Sequence, residues 1–208
     1  MITIIDYGLG NIQSFQNLYK RLNIETKVAN SFEDLTGATK LILPGVGAFD
    51  HAIELLEISG MKESIQDLVF NRNTPILGVC VGMQILANSS EEGNKPGLGW
   101  IPGRVKKFQF LANSGKLPMP HMGWNDVISS DTRSDLFQGL QGDSRFYFLH
   151  SYFYECENES DISAKTEYGV SFSCAIQRNN IYGVQFHPEK SHHYGERLLL
   201  NFALLPDA

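Results

Sequence analysis

Gly78-Val79-Cys80-Val81-Gly82 decides how this sequence is read. The apolar run Pro75-Ile76-Leu77-Gly78-Val79 leads into it, and the helix-compatible stretch Met83-Gln84-Ile85-Leu86-Ala87 leads out. A nucleophile between two glycines, at a junction of strand and helix, is the pattern of a nucleophile elbow. The glycines permit a tight turn and keep the surroundings of the nucleophile clear. A thiol at the start of a helix meets the positive end of the helix dipole, which favours thiolate. The Val81 N–H then points where an oxyanion would form. Taken alone, the pentapeptide also fits a buried cysteine in a glycine-rich turn.

Upstream of the elbow, strand and helix signals alternate. Ile2–Ile5 is an apolar run that ends at Asp6-Tyr7-Gly8-Leu9-Gly10, and Ile12, Phe15, Leu18 and Leu22 follow at helical spacing. Residues 26–29 read as a strand, residues 31–35 as a short capped turn, and Leu41-Ile42-Leu43 as a buried strand stopped by Pro44-Gly45. Ala52, Ile53, Leu55 and Leu56 form one helical face, and Ile65, Leu68 and Val69 another. Continuous apolar strands between amphipathic helices imply a mostly parallel sheet covered by helices on both faces.

Downstream the texture changes. Residues 91–99 read as a loop, and residues 104–110, 146–154, 163–166, 172–177 and 181–185 read as strands. Asn179-Asn180 marks a hairpin between the last two. Leu198, Leu199, Phe202 and Leu205 mark a closing helix. The expectation is one α/β domain over residues 1–208, with antiparallel additions in its second half.

Composition narrows the function. The 208 residues are 42% hydrophobic and 19% charged, which is the balance of a folded, soluble chain. Lys and Arg number 17 against 23 Asp and Glu, a net charge of −6 without a basic cluster, so no nucleic acid or membrane partner is expected. No apolar run approaches the roughly 18–20 residues of a spanning helix. Met1-Ile2-Thr3-Ile4-Ile5-Asp6 lacks the basic flank and cleavage site of a signal peptide. Cys80, Cys156 and Cys174 form no CxxC pair, and with the missing leader they point to a reduced, cytoplasmic compartment. The histidines lack metal-ligand spacing and no dinucleotide or Walker pattern occurs, so neither metal nor cofactor is expected.

Two further strings carry chemistry. In Gly183-Val184-Gln185-Phe186-His187-Pro188-Glu189, a histidine and a carboxylate end a strand and project to the same side. A cysteine nucleophile needs such a base, and the base needs an orienting carboxylate. Pro44-Gly45-Val46-Gly47 follows an earlier strand, either as a plain turn or as a loop whose backbone N–H completes an oxyanion hole. A phosphate cradle is disfavoured, because no GK[ST] follows.

Together, these strings resemble the class I glutamine amidotransferases, whose fold is an open, flavodoxin-like sheet. The resemblance narrows to the glutaminase subunits of imidazole glycerol phosphate synthases. It is carried by Asp6-Tyr7-Gly8-Leu9-Gly10-Asn11, Pro44-Gly45-Val46-Gly47-Ala48-Phe49, Gly82-Met83-Gln84, Ser90-Glu91-Glu92-Gly93 and Gly97-Leu98-Gly99-Trp100 in the first half. In the second half it is carried by His121-Met122-Gly123-Trp124-Asn125, Phe148-Leu149-His150-Ser151-Tyr152 and Phe186-His187-Pro188-Glu189-Lys190-Ser191. Val81 stands where Leu is more usual and Leu149 where Val is, and neither change removes a polar group.

The resemblance implies a division of labour. Cys80 attacks the side-chain amide of L-glutamine, His187 moves the proton to the departing ammonia, and Glu189 orients His187. Val81 and residues Gly45, Val46 and Gly47 form the oxyanion hole. Gln84, Glu92, His150, Ser151 and Tyr152 bind glutamine, while Asn11, Trp124, Phe148 and Lys190 meet a partner. That partner is a (β/α)8-barrel cyclase, forming a heterodimer that makes imidazole glycerol phosphate and AICAR in histidine biosynthesis. The chain offers no segment for an acceptor domain, which agrees with delivery of ammonia to a second chain. A paralogue feeding amidino-sugar synthesis for surface polysaccharides fits the same strings. A catalytically silent scaffold is disfavoured by the intact Cys80 and His187, and a partner-free γ-glutamyl hydrolase would not need the His121 and Lys190 strings.

Overall fold

The computed structural model describes residues 1–109, 117–129, 135–140, 142 and 144–207. The first half alternates as the periodicity requires: β1 (Ile2–Ile5), α1 (Ile12–Arg21), β2 (Thr26–Ala29), β3 (Leu41–Gly45), α2 (Phe49–Ile58), α3 (Lys62–Phe70), β4 (Ile76–Cys80) and α4 (Val81–Gln84). The second half adds β5 (Ser89–Ser90), β6 (Gly103–Lys107), β7 (His121–Asp126), β8 (Ile128–Ser129), β9 (Arg145–His150), β10 (Tyr152–Cys156), β11 (Ile162–Glu167), β12 (Ser171–Arg178), β13 (Ile181–Val184) and α5 (His192–Leu204).

Strands β1, β3, β4 and β13 are buried along their whole length, because helices cover both faces of a parallel sheet. They run in the order β2-β1-β3-β4-β13, with every neighbouring pair parallel. β12, β10 and β6 continue the sheet antiparallel, and β5 pairs parallel with β6 at the edge. Helix α1 buries Phe15, Leu18 and Tyr19, its N-terminus is capped by the Asn11 side chain, and Lys20 and Arg21 occupy its last turn. Cations there complement the helix dipole.

Register sets what the site can be. Gly45 lies opposite Cys80, and Gly183 and Val184 lie opposite Gly78 and Val79. The carboxyl ends of β3, β4 and β13 therefore emerge together, where open α/β sheets place their ligands.

Several expectations from the sequence need correction. The run 146–154 is two strands, not one. β9 pairs with β7 in a separate two-stranded sheet, β10 joins the main sheet, and Ser151 is the break between them. β7 was not expected at all. Its apolar residues Met122 and Trp124 face outward while His121 is buried, which inverts the usual amphipathic alternation. The strand expected over 104–110 ends at Lys107, and Phe110 lies outside the described residues. The helix after the elbow is a single turn over Val81–Gln84. The N–H groups of Leu98, Trp100 and Gly99 donate to the carbonyls of Ile85, Leu86 and Ala87, so the backbone there is satisfied without further helix.

One contact outside the sheet shapes the end of β13. A Cβ on Gly195 of α5 would lie 1.8 Å from the carbonyl oxygen of Pro188. Gly195→Ala should therefore push α5 off the turn that follows His187, lowering stability by about 1–3 kcal/mol. The midpoint of urea unfolding checks this, and an unchanged midpoint would contradict the close packing.

Candidate active site

Cys80 closes β4 with φ +55° and ψ −112°, a backbone state that side-chain-bearing residues rarely adopt. The surrounding glycines hold it there. A Cβ on Gly82 would sit 1.9 Å from the Leu43 carbonyl oxygen, and one on Gly45 would sit 2.5 Å from the Gly82 nitrogen. The elbow thus stacks directly on the end of β3. Tyr7 braces the same junction, its hydroxyl donating to the Pro44 carbonyl at 2.7 Å.

His187 follows β13 and faces the elbow. Its Nδ1 lies 2.9 Å from Glu189 Oε1, its side chain also hydrogen-bonds Cys80, and the His187 and Glu189 side chains are 4% and 3% exposed. Its backbone is clamped, since its N–H donates to the Tyr147 carbonyl and its carbonyl accepts from Ser191 Oγ at 2.6 Å. Burial opposes protonation of this imidazole, but the hydrogen bonds to Cys80 and Glu189 outweigh it and push it up to about 10. The second oxygen of Glu189 is buried with no hydrogen-bond partner among the described residues, so the imidazolium is the charge that compensates the carboxylate. By contrast, burial pushes the Cys156 thiol up to about 12 and raises that of Cys174 as well. Among the described residues, neither has a histidine or lysine hydrogen-bonded to it that would hold a thiolate.

A cavity of about 300 Å³ opens beside this pair. Its lining includes Val46, Gly47, Cys80, Val81, Gln84, Glu92, His150, Ser151, Tyr152, His187 and Lys190, all of them given roles in the sequence reading, together with Pro120 and Leu149, which were given none. Larger hollows, of about 590, 400 and 360 Å³, lie on the α1–β2 edge, against α3, and between residues 160–163 and 177–179, and none of these is lined by a cysteine or histidine. Glu92 accepts from the Phe49 N–H at 2.8 Å, which ties the loop after β5 to the start of α2. Gln84 donates to the Tyr152 carbonyl and to Gln185 Oε1, so its own oxygen is left for a ligand.

The residues expected to meet a partner separate into two groups. Asn11, Trp124 and Lys190 are exposed. Trp124 stacks on His192 with ring centroids 5.2 Å apart, and Lys190 lies over the Tyr147 ring. Phe148 is fully buried, stacked on His121 and packed against Phe186, so it belongs to the core and not to a docking surface. Strand alternation explains the error: Phe146 and Phe148 point inward, and Tyr147 and Leu149 are the outward neighbours.

Sequence reasoning also missed a chain of buried polar groups. His150 Nδ1 lies 2.7 Å from the Tyr152 carbonyl, His121 Nδ1 lies 2.9 Å from His150 Nε2, and the Asn125 amide lies 3.3 Å from His121 Nε2. The carbonyl can only accept, so each imidazole carries its proton on Nδ1 and both are neutral. Burial lowers His121 to about 4 and His150 to about 3, against an ordinary value of 6.5. Between these values the unfolded chain binds more protons than the folded one, so stability should fall as pH drops from about 6.5 toward 4. Urea unfolding across this range should show that decline, and His121→Gln, which does not titrate, should make it shallower while leaving the part due to His150. An equal slope in both proteins would contradict the assignment.

Comparison with known proteins agrees with this geometry. Residues 3–205 match the family model described as glutamine amidotransferase class-I. The chain is 58% identical to the imidazole glycerol phosphate synthase subunit HisH of Bdellovibrio bacteriovorus, over 98% of this chain and 99% of that one. It is 52% identical to the protein of the same name from Leptospira borgpetersenii, over 99% and 100%. Among solved structures, it matches a glutamine amidotransferase with a TM-score of 0.74 at 21% identity, over 97% and 96%, and a PurLQS structure from Thermotoga maritima at 0.72 and 16%, over 97% and 96%. The solved structures speak to the fold, and the full-length relatives and family model to descent: the chain belongs to the class-I glutamine amidotransferases.

Proposed function

We propose that this chain is the glutaminase subunit of an imidazole glycerol phosphate synthase, acting in the cytoplasm as one amidotransferase domain over residues 1–208. The observation that carries the reading is the buried Cys80–His187–Glu189 hydrogen-bonded series beside the Gln84- and Glu92-lined cavity. Relatives at 40–58% identity over nearly the full chain share the subunit name, which favours the histidine route over sugar amidination.

Catalysis follows from the proton positions. With the proton on His187, Cys80 attacks the side-chain carbonyl carbon of glutamine as a thiolate. The oxyanion that forms is met by the Val81 N–H and by an N–H from residues 45–47. His187 delivers its proton to the departing nitrogen, ammonia leaves, and a glutamyl thioester remains on Cys80. His187, now neutral, takes a proton from water, whose oxygen attacks the thioester to release glutamate. Gln84, Glu92 and the backbone of His150, Ser151 and Tyr152 hold the amino acid end. Free ammonia in water is mostly protonated and non-nucleophilic, so its use requires transfer into a second active site, here that of a (β/α)8-barrel cyclase. Asn11, Trp124 and Lys190 are the residues we assign to that contact. The outward face of β9, with Tyr147 and Leu149, takes the place that Phe148 held in the sequence reading.

Residues 45–47 also suit a gate. Val46 is 41% exposed, Gly47 has φ +91° with open space around it, and Tyr7 pins only the Pro44 carbonyl. A peptide plane in this stretch can turn either its carbonyl or its N–H to the cavity. The isolated chain should therefore bind glutamine but release glutamate slowly. Cyclase and acceptor together should raise kcat by about 10²–10³, the worth of one oxyanion donor, with little change in KM. An isolated chain already at full rate would remove the gate and leave the nucleophile assignment standing.

Cys80→Ala and His187→Ala should each lower glutamate release by several orders of magnitude, since such residues act as a unit. Activity surviving in Cys80→Ala would overturn the function. Lys190→Ala should weaken association with the cyclase by roughly 2–5 kcal/mol in calorimetric titration, the cost of truncating one partner of a desolvated charge pair. Unchanged affinity would remove Lys190 from the docking surface.

A further inference from the structure

The polar residue closest to the nucleophile that the mechanism above does not use is Gln185. It is fully buried, and its backbone N–H donates to the Cys174 carbonyl at 2.8 Å, which extends the β12–β13 ladder by one step. Its side chain joins two groups that the mechanism does use. Gln185 Nε2 lies 3.8 Å from Cys80 Sγ, and Gln185 Oε1 lies 2.9 Å from Gln84 Nε2. Gln84 Nε2 in turn lies 3.1 Å from the Tyr152 carbonyl, which also accepts from His150.

The direction of every bond in this series is determined. A backbone carbonyl has no proton to give, so the Gln84 group facing Tyr152 must be its NH₂. That same NH₂ faces Gln185, so Gln185 must turn its oxygen to Gln84 and its own NH₂ to the sulfur. Reversing Gln84 would set its oxygen against two other oxygens, and reversing Gln185 would set one NH₂ against another, in a buried site where an unmatched polar pair is costly. The Tyr152 carbonyl thus sets the polarity of a relay that ends at the nucleophile.

We propose that Gln185 is a positioning residue for the glutaminase reaction: it donates an N–H to the Cys80 thiolate and holds Gln84 with its oxygen toward the substrate. The proposal rests on the reading of Cys80 as nucleophile and Gln84 as a glutamine contact. A thiol sulfur is a weak acceptor and a thiolate a strong one, so the Gln185 N–H favours the ionised form. The other titratable groups around Cys80 are His187, with Glu189 behind it, from the segment after β13, Tyr7 from the segment after β1, and His150 from β9. None of them contacts Gln84 in the way Gln185 does, so the coupling of nucleophile to substrate pocket is particular to this amide.

The test uses the full chain and iodoacetamide, with alkylation of the Cys80 peptide followed by mass spectrometry. Gln185→Met keeps the length of the side chain and removes both donor and acceptor. It should slow Cys80 alkylation about tenfold near pH 7, the worth of one charge-assisted hydrogen bond, and leave the rate in strongly alkaline buffer unchanged. It should also raise KM for glutamine, because Gln84 loses its anchor. Gln84→Met, which does not touch the sulfur, should slow alkylation near neutrality in the same direction but less, because Gln185 is then free to turn. A loss of packing alone would shift the unfolding midpoint without separating the neutral from the alkaline rate. Unchanged alkylation at both pH values in Gln185→Met overturns the proposal, and so does the same result in Gln84→Met if Gln185→Met does not fold. A wild-type Cys80 that reacts no faster than Cys156 is a different failure: it removes the nucleophile, and the role of Gln185 with it.

Discussion

The parallel pairing of β13 with β4 is the constraint on which the rest of the molecule depends. One hundred residues, 81–180, separate these strands in sequence, yet Gly183 sits opposite Gly78 and Val184 opposite Val79. A register slip of one residue would turn every side chain of β13 to the other face of the sheet. His187 would then leave Cys80, and Gln185 would leave Gln84. Glycine at 183 is part of the same constraint, because a Cβ there would lie 2.7 Å from the Met83 side chain and press on the turn that carries the nucleophile.

Around that pairing, the site divides its charges. His187 is buried between a sulfur and a carboxylate and is held protonated, whereas His121 and His150, equally enclosed but bonded only to neutral groups, are held neutral. The three share a residue type and differ in partners, so the hydrogen-bond network assigns their roles. The strained turn at Cys80 persists because Gly78, Gly82 and Gly45 let backbone approach backbone on both sides of it.

Much of this was legible in the sequence. The elbow, the His187-Pro188-Glu189 string and the Pro44-Gly45-Val46-Gly47 loop are local patterns, and each lies where its pattern implied. The parallel half of the sheet was legible because strands buried on both faces read as unbroken apolar runs. The second half was harder to read. β7 turns Met122 and Trp124 to solvent and His121 to the interior, so its hydrophobic pattern contradicts its placement. Phe148 was assigned to the surface by motif, although the alternation along β9 sends it into the core. The Gln84–Gln185 and His121–His150 contacts join residues far apart in the chain, and no local pattern announces them.

The central claim is that Cys80 carries the glutamyl group during turnover. Rapid acid quenching of the chain with glutamine, followed by mass spectrometry of its peptides, tests it most directly. The account predicts a glutamyl thioester on the peptide containing Cys80, lost on brief treatment with hydroxylamine and absent from Cys156 and Cys174. Glutamate production with no adduct on Cys80, or with the adduct on another residue, would contradict it.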